Sequence, residues 1–386
     1  MLRWRLLFGF SISIGVVGLC LLDVFLENRT GIPGIALFPL MLLLLVLACH
    51  EMLLLANRNR VYPVPYITYL GCIIVGLSGW GTFAIQHSIN QQEDSRAVNQ
   101  DVLELDEVLP SDAPSVSISE NSNEVIPEGS SEASTEDASE AAIASDQSAD
   151  DASQESAPDS TGSRASKRDS KAVAALLKQL EHLTPGNWIL SAFAFTLILV
   201  FLQEMYSFVR PGAVNVRMAY TIFTIVYAGV LMTFLALIRL CFGLVDLIAF
   251  IAIVKMGDVG AYTIGRLFGR NKMAPGLSPG KTIEGAVGAI LFAGFTAWLC
   301  YALILPWVEG KPVPVPFNPL WLVYGTMLGF LGMLGDLAES LMKRDAEVKD
   351  ASDMVPGFGG VLDLLDSLLL SAPVAYAFLT LGLLNL

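Results

Sequence analysis

The sequence predicts an all-α polytopic membrane protein of about nine transmembrane helices with a disordered acidic insert. Of the 386 residues, 54% are hydrophobic and the mean hydropathy is +0.58, which is too apolar for a soluble domain of this length. The apolar residues come in runs of about 20, the length that one helix needs to cross a bilayer. The net charge of −14 belongs to one segment, because residues 92–172 hold 20 acidic and five basic side chains.

Nine apolar runs are predicted to be transmembrane helices. They cover residues 6–26, 34–55, 65–86, 187–208, 218–238, 241–256, 283–306, 319–338 and 361–385. The first three carry few charges and predict an N-terminal bundle (1–91) that serves packing or lipid contact. The last six predict a catalytic membrane domain (181–386). Only Arg239 interrupts the fifth and sixth runs, so these two could also form one bent hairpin or be divided differently.

The positions of Lys and Arg predict the orientation. With the N-terminus inside, nine spans place each strongly basic loop inside, including those around Arg270 and Lys343. Arg29, Arg239 and Lys311 fall in outer loops. We therefore expect a multi-pass protein of the cell (inner) membrane whose active site faces the cytoplasm.

Residues 92–180 form the predicted insert. They are rich in Ser, Ala, Asp and Glu and almost free of aromatic residues. Such a segment buries too little apolar surface to offset the entropy lost on ordering. We expect a disordered extracytoplasmic tether without a role in chemistry.

A polar stripe is predicted at the inner end of the eighth span. Asp336, Glu339, Ser340 and Lys343 follow each other at helical spacing and share one face. A helix end whose charges meet water is the simpler interpretation. Carboxylates at membrane depth are costly unless they face a polar cavity, a partner or a metal, so the alignment favours a functional site.

A second carboxylate cluster opens the last span. Asp363 and Asp366 lie three residues apart and repel each other unless a cation sits between them, although the helix N-terminus also stabilises them. Paired carboxylates suit Mg²⁺. Gly357, Gly359 and Gly360 precede them and predict a backbone cradle for phosphate. The three histidines lack HxxxH spacing, so no histidine-based zinc site is expected.

The third cluster spans residues 258–285. Asp258, Tyr262 and Arg266 share one helical face, and Lys272 and Lys281 lie in the following inner loop. Topology and anionic lipids alone explain inner-loop cations. Beside a turn of sequence SPGKT they predict a phosphate clamp. Together the three clusters predict phosphoryl or nucleotidyl transfer to a membrane lipid.

Two blocks carry a family resemblance. Residues 340–367 read SLMKRDAEVKDASDMVPGFGGVLDLLDS, and residues 258–285 read DVGAYTIGRLFGRNKMAPGLSPGKTIEG. The first resembles the phosphatidate cytidylyltransferase (CDP-diacylglycerol synthase) signature, approximately S-x-x-K-R-x4-K-D-x5-P-G-H-G-G-x-L-D-R-x-D, and the second resembles that family's other block. The resemblance implies transfer of CMP from CTP to phosphatidate with release of pyrophosphate. It also implies Mg²⁺, often with a monovalent cation such as K⁺.

The resemblance assigns roles by position. It implies that Asp336, Asp363 and Asp366 are metal ligands. The same three residues and Lys343 are the implied catalytic residues. The implied substrate-binding residues are Asp258, Tyr262, Arg266, Lys272, Ser278, Lys281, Ser340, Arg344, Lys349, Asp350, Gly357, Gly359 and Gly360. The expected partners are CTP, phosphatidate and membrane lipids, with a homodimer suggested and no nucleic acid.

Two positions depart from the family pattern. Phe358 stands where the family usually has His, and Leu364 stands where it usually has Arg. We favour an active enzyme with altered substrate contacts. The alternatives are a CTP-dependent transferase or kinase acting on another lipid, and a non-catalytic homologue or scaffold. A cation transporter using the aspartates is less favoured, because no inverted repeat is evident.

Overall fold

The computed structural model describes most of the two predicted membrane regions. The described residues are 2–81, 185–208, 212, 214–308, 310–313, 315–352, 354 and 359–384. In the first range the side chains are described from residue 14 onward, and in the second range from residue 187 onward. The predicted insert, Gly357 and Phe358 lie outside these ranges. The described residues fall within one compact unit that comprises residues 1–90 and 180–386. The division of this unit into an N-terminal bundle and a catalytic domain stays a prediction.

Most of the described residues lie in helices. In chain order the elements are α1 (Leu2–Thr30), α2 (Leu37–Arg58), α3 (65–81), α4 (Pro185–Tyr206), α5 (Val214–Phe242), α6 (Leu244–Phe268), β1 (Lys272–Ala274), β2 (Ser278–Thr282), α7 (Ile283–Val308), α8 (Pro319–Asp345) and α9 (Leu362–Thr380). Among the described residues, six helices are long and apolar enough to cross a membrane, namely α2, α4, α5, α7, α8 and α9. The prediction of an all-α multi-pass membrane protein is therefore confirmed, whereas the count of nine spans stays a prediction.

Helices α5 and α6 follow each other directly and are separated by the single residue Gly243. The φ angle of this glycine is +101°, a conformation that side-chain-bearing residues rarely adopt. The prediction that Arg239 falls in an outer loop was wrong: Arg239 lies inside α5 and is 1% exposed. Its guanidinium pairs with Asp23 and Glu27 of α1, both at 2.6 Å, and these carboxylates compensate its charge inside the protein.

Small residues bring α6, α7, α8 and α9 close together. A Cβ atom at Gly329 of α8 would lie 2.8 Å from the carbonyl oxygen of Ala289 in α7, closer than real Cβ contacts. In membranes, where apolar burial gives little drive for helix association, small residues let backbones approach and pack. The packed order α6–α7–α8–α9 fixes the frame that holds the polar residues.

A short β-hairpin joins α6 to α7. Strands β1 and β2 are antiparallel, with Lys272 opposite Thr282 and Ala274 opposite Ser278. The SPGKT segment, expected to be a turn, is therefore strand β2, because pairing with β1 satisfies its backbone groups. The hydroxyl of Thr282 then caps α7 by accepting a 3.1 Å hydrogen bond from the backbone N–H of Gly285.

Candidate active site

A cavity of about 620 Å³ brings the three predicted clusters together. Helix α6, the β-hairpin, the start of α7, the second half of α8 and the start of α9 form its walls. Its polar lining residues are Lys255, Asp258, Tyr262, Arg266, Ser278, Lys281, Thr282, Asp336, Glu339, Lys343, Asp363 and Asp366. Eleven of these twelve residues, all except Lys255, belong to the clusters identified in the sequence, so the fold places distant blocks of the chain around one space.

Three carboxylates of this cavity converge. Each of Asp336, Glu339 and Asp366 offers an oxygen atom, and these atoms lie within 4.8 Å of one another. Glu339 is 1% and Asp366 is 6% exposed, and the Oε1 atom of Glu339 has no hydrogen-bond partner among the described residues. Like charges at this separation favour a bound cation or proton. An all-oxygen donor set with an unpaired buried oxygen fits a hard ion such as Mg²⁺.

Glycine at position 335 lets these carboxylates meet. A Cβ atom there would collide with the backbone carbonyl of Asp366, and it would come within 3.1 Å of the Cα atom of Ser367. Helices α8 and α9 are therefore in close backbone contact where they carry Asp336 and Asp366. The contact sets the distance between carboxylates that are 30 positions apart in the chain.

Asp363 has a different environment from the converging carboxylates. Its Oδ1 atom accepts a hydrogen bond from the ammonium of Lys343, which also donates to Glu339 Oε2 at 2.9 Å. Its Oδ2 atom accepts from the backbone N–H of Gly360 at 2.6 Å and of Ala351 at 3.4 Å. Glu339, and not Asp363, therefore joins Asp336 and Asp366 in the converging group. Metal ligation by Asp363 stays a prediction.

Cations lie along the other walls of the cavity. Lys281 on β2 pairs with Asp336 at 2.7 Å, and Arg266 donates to the hydroxyl of Tyr262 at 2.6 Å. Lys255, in the middle of α6, donates to Ser367 Oγ at 2.7 Å and to Asp258 Oδ2 at 3.2 Å. Lys255 was not among the site residues predicted from the sequence. Its signal was a single lysine inside an apolar run, which by itself marks a functional position in a membrane helix.

Several predicted residues lie away from this cavity. Among the described residues, Lys272, Ser340, Arg344 and Lys349 do not line it. Arg344 instead donates to the backbone carbonyls of Leu277 (3.3 Å) and Val348 (3.2 Å), which ties the β-hairpin to the segment after α8. Substrate binding by these residues stays a prediction.

The predicted glycine cradle is partly described. Gly359 has a φ angle of +91°, and Gly360 donates its backbone N–H to Asp363. Asp350, on the segment before the glycines, lines a second cavity of about 420 Å³ together with Arg58 of α2. The backbone at Gly359 thus has a conformation that glycine readily adopts just before α9, while phosphate binding by the glycines stays a prediction.

A second residue that the sequence analysis missed comes from α2. The carboxylate of Glu51 accepts hydrogen bonds from the backbone N–H groups of Val361 and Leu362, at 2.8 Å and 2.7 Å. It therefore lies at the N-terminus of α9, beside the candidate site. A lone glutamate within the apolar run 34–55 was the available signal, and nothing in the sequence indicated its partner.

The chain is similar to known cytidylyltransferases. Residues 170–382, which include every residue that lines the larger cavity, match the model of the cytidylyltransferase family. The curated relatives include phosphatidate cytidylyltransferases of Chlamydia pneumoniae (34% identical over 209 residues, 51% of this chain and 66% of the relative), Synechocystis sp. (39% over 146 residues, 36% and 44%) and Bacillus subtilis (37% over 140 residues, 36% and 49%).

The chain spans less than two thirds of the length of each of these relatives, from 44% to 66%. The family match nevertheless covers more than half of the sequence and contains all three clusters of polar residues. On this ground, the chain belongs to the cytidylyltransferase family.

Proposed function

We propose that the protein transfers CMP from CTP to phosphatidate in the 620 Å³ cavity, giving CDP-diacylglycerol and pyrophosphate. The observation that carries the proposal is the convergence of Asp336, Glu339 and Asp366 beside the cations that line the same cavity. Nucleotidyl transfer between two anionic substrates needs this combination, because little covalent chemistry falls to the protein. The curated relatives named phosphatidate cytidylyltransferase support the same reaction.

The cavity has the two-sided chemistry that a phospholipid substrate requires. Its lining combines charged groups with the apolar side chains of Ala286, Ala289 and Met333 on α7 and α8. Charged groups suit the phosphates, and the apolar wall suits the acyl-chain end of a lipid. The volume lies within the range of about 300–1,000 Å³ that is usual for ligand sites.

Asp336, Glu339 and Asp366 are the residues that we propose hold Mg²⁺. When bound, this ion would neutralise phosphate charge and orient the transferred group. Asp363, the ligand expected from the resemblance, would instead hold Lys343 in place through their ion pair. A monovalent cation such as K⁺ remains an expectation from the resemblance.

The cations of the cavity would bind and orient the two substrates. Lys281, Lys343 and Arg266 would contact phosphate oxygens, which reduces the repulsion between the triphosphate and the lipid phosphate. The lipid phosphate is itself the nucleophile, so the site needs no strong general base. The roles of the protein are therefore binding, alignment and charge compensation.

The altered position 364 leaves this machinery in place. Leu364 is absent from the residues that line the cavity, whereas Lys255, Arg266, Lys281 and Lys343 all line it. The cavity therefore keeps four cationic side chains without a charge at position 364. This favours an active enzyme over a non-catalytic homologue.

The loops that carry the candidate site share one side of the membrane in this proposal. The loops between α2 and α3, α6 and α7, and α8 and α9 lie at one end of the bundle, as contacts between Asn59 and Asp345 and between Arg344 and Leu277 require. We propose that this end faces the cytoplasm, because these loops carry the basic residues. The chain would then cross the inner membrane nine times. The insert would then lie outside the cytoplasm.

A labelling experiment tests the reaction and its main rival. Purified protein in detergent would receive dioleoyl phosphatidate, Mg²⁺ and CTP labelled on either the α- or the γ-phosphate. Cytidylyl transfer moves only the α-label into the lipid phase, whereas a CTP-dependent kinase acting on a lipid moves only the γ-label. If folded protein moves neither label into the lipid phase, the proposal is contradicted. If only the γ-label appears there, the protein is a lipid kinase instead.

A further inference from the structure

Glu51 reaches from α2 to the start of α9. It is fully buried, with an exposure of 0%. Its Oε1 atom accepts hydrogen bonds from the N–H of Val361 at 2.8 Å and from the hydroxyl of Ser352 at 2.5 Å, and its Oε2 atom accepts from the N–H of Leu362 at 2.7 Å. All three of these hydrogen bonds come from the segment that leads into α9 or from its first residues.

This arrangement replaces the usual local cap of a helix. The first N–H groups of a helix have no intrahelical acceptor, and a side chain at the N-cap commonly supplies one. The N-cap residue of α9 is Val361, whose side chain has no acceptor. Glu51 supplies the acceptors from a position 310 residues away in the chain. Its negative charge also complements the positive end of the α9 dipole.

The segment that Glu51 holds is the one that carries the candidate site. Gly360, directly before Val361, donates its N–H to Asp363 at 2.6 Å. A Cβ atom at Gly360 would lie 2.7 Å from Glu51 Oε1, so backbone and carboxylate are in close contact. Asp366, one turn further along α9, belongs to the group of converging carboxylates. Movement of Glu51 would therefore displace both aspartates.

Helix α2 also contacts the connection between α8 and α9 at other points. Asn59, directly after the end of α2, donates to Asp345 Oδ2, at the end of α8, at 2.6 Å. Leu54, Leu55 and Arg58 line the 420 Å³ cavity together with Val348, Asp350, Ala351, Ser352 and Met354. Glu51 is thus the buried centre of a contact that joins α2 to both ends of this connection.

We propose that Glu51 is a positioning residue of the transferase site, supplied by a part of the chain that lies outside the family match of residues 170–382. The proposal rests on the proposed function for its kinetic consequence. Glu51 does not line the cavity, so it acts through Gly360, Asp363 and Asp366 and not on the substrates. The N-terminal helices are then required for catalytic geometry, in addition to packing or lipid contact.

The test compares Glu51→Gln with a matched variant, Asp23→Asn. Asp23 is also fully buried in the N-terminal helices, and it caps α2 by accepting from the N–H groups of Ala36 (2.9 Å) and Leu37 (3.2 Å). It lies at the opposite end of α2 from the candidate site. Both changes replace one carboxylate oxygen by an NH₂ group, which cannot accept a hydrogen bond from a backbone N–H.

Three quantities would be measured on the wild type and both variants in detergent: thermal stability, kcat and KM for CTP and phosphatidate, and hydrogen–deuterium exchange of the amides of residues 359–366. We expect Glu51→Gln to lower kcat by roughly 10- to 100-fold, because displacement of reacting groups by about 1 Å has effects of this size. Exchange at residues 359–366 should increase. Asp23→Asn should lose at least as much stability while keeping kcat and this exchange unchanged.

The proposal would be overturned if Glu51→Gln kept the wild-type kcat or the wild-type exchange at residues 359–366. It would also be overturned if Asp23→Asn, at the same thermal stability as Glu51→Gln, lost as much kcat. A wild-type protein that does not transfer CMP would refute the proposed function, and the exchange would still decide whether Glu51 holds the segment. Where Glu51→Gln does not fold, Ser352→Ala removes a single hydrogen bond of Glu51. Its expected effects are faster exchange and a fall in kcat of about fivefold, and their absence would equally count against the proposal.

Discussion

Replacing Gly335 by alanine should separate the carboxylates of α8 from that of α9. The added Cβ atom would collide with the backbone carbonyl of Asp366, and it would lie 3.0 Å from the carbonyl carbon of the same residue. Ordinary contact begins near 3.4 Å, so the two helices must move apart by about 1 Å. A shift of this size in catalytic groups lowers turnover by about 100-fold, which corresponds to about 2.7 kcal/mol of transition-state stabilisation.

The effect on stability should be much smaller than the effect on activity. Overpacking in a tight contact costs about 1–3 kcal/mol, whereas alanine gains about 1 kcal/mol over glycine within a helix. Gly332→Ala is the matched control, since it lies one turn earlier on α8 and its Cβ atom would meet the side chains of Val254, Ser367 and Ser371 at 3.2–3.7 Å. Those side chains can adjust by a few tenths of an ångström, and activity should stay within about threefold of the wild type.

The assay is transfer of α-labelled CMP from CTP into the lipid phase at saturating substrates, together with thermal unfolding in the same detergent. Near wild-type turnover in Gly335→Ala would refute the reasoning, because it would mean that the spacing of Asp336 and Asp366 does not matter. Loss of activity in Gly332→Ala to the same degree would also refute it, by showing a general sensitivity of α8 to added volume.

Three further outcomes are expected. Glu339→Gln should lower activity roughly 10- to 100-fold and raise the Mg²⁺ concentration needed for half-maximal rate. The control Glu347→Gln, at an exposed position, should change neither quantity. If both variants have the same Mg²⁺ titration curve, Glu339 is not a metal ligand. Lys255→Met, which keeps the apolar part of the side chain, should lower kcat/KM for phosphatidate about tenfold. An unchanged value would show that Lys255 does not contribute to phosphatidate binding. Arg239→Leu should destabilise the protein by about 3–5 kcal/mol in thermal or denaturant unfolding, because Asp23 loses a buried partner, and an unchanged midpoint would contradict this.

The sequence predicted those parts of the site whose signals are local. Asp336 and Lys343 share a helical face, and Asp363 and Asp366 open a helix, so short spacings were enough to select them. Long apolar runs likewise predicted the helices, because length and hydropathy are properties of single segments. The clusters meet in one cavity because they all fall at the same end of neighbouring helices.

The remaining features depend on how helices are rotated and packed. Whether Glu339 or Asp363 faces Asp336 and Asp366 is decided by the rotation of α8 against α9, which spacing does not specify. Glu51 and Arg239 are single charges in apolar runs, and their partners lie 310 and 216 residues away. Strand β2 shows no alternating apolar pattern, since its sequence is SPGKT, and only its pairing with β1 reveals it.

The ion pair between Asp23 and Arg239 has a consequence for the order of biosynthesis. The two residues are 216 positions apart, and ribosomes add about 5–20 residues per second, so Arg239 is made roughly 10–40 s after Asp23. During this interval α1 carries a carboxylate without its final partner, a state that a bilayer disfavours. Helix α1 should therefore be held at the translocon or near the membrane surface until α5 emerges. Helix α1, although it is synthesised first, would then dock against α5 late, and cross-linking of ribosome-bound chains truncated before and well after residue 239 would reveal this order.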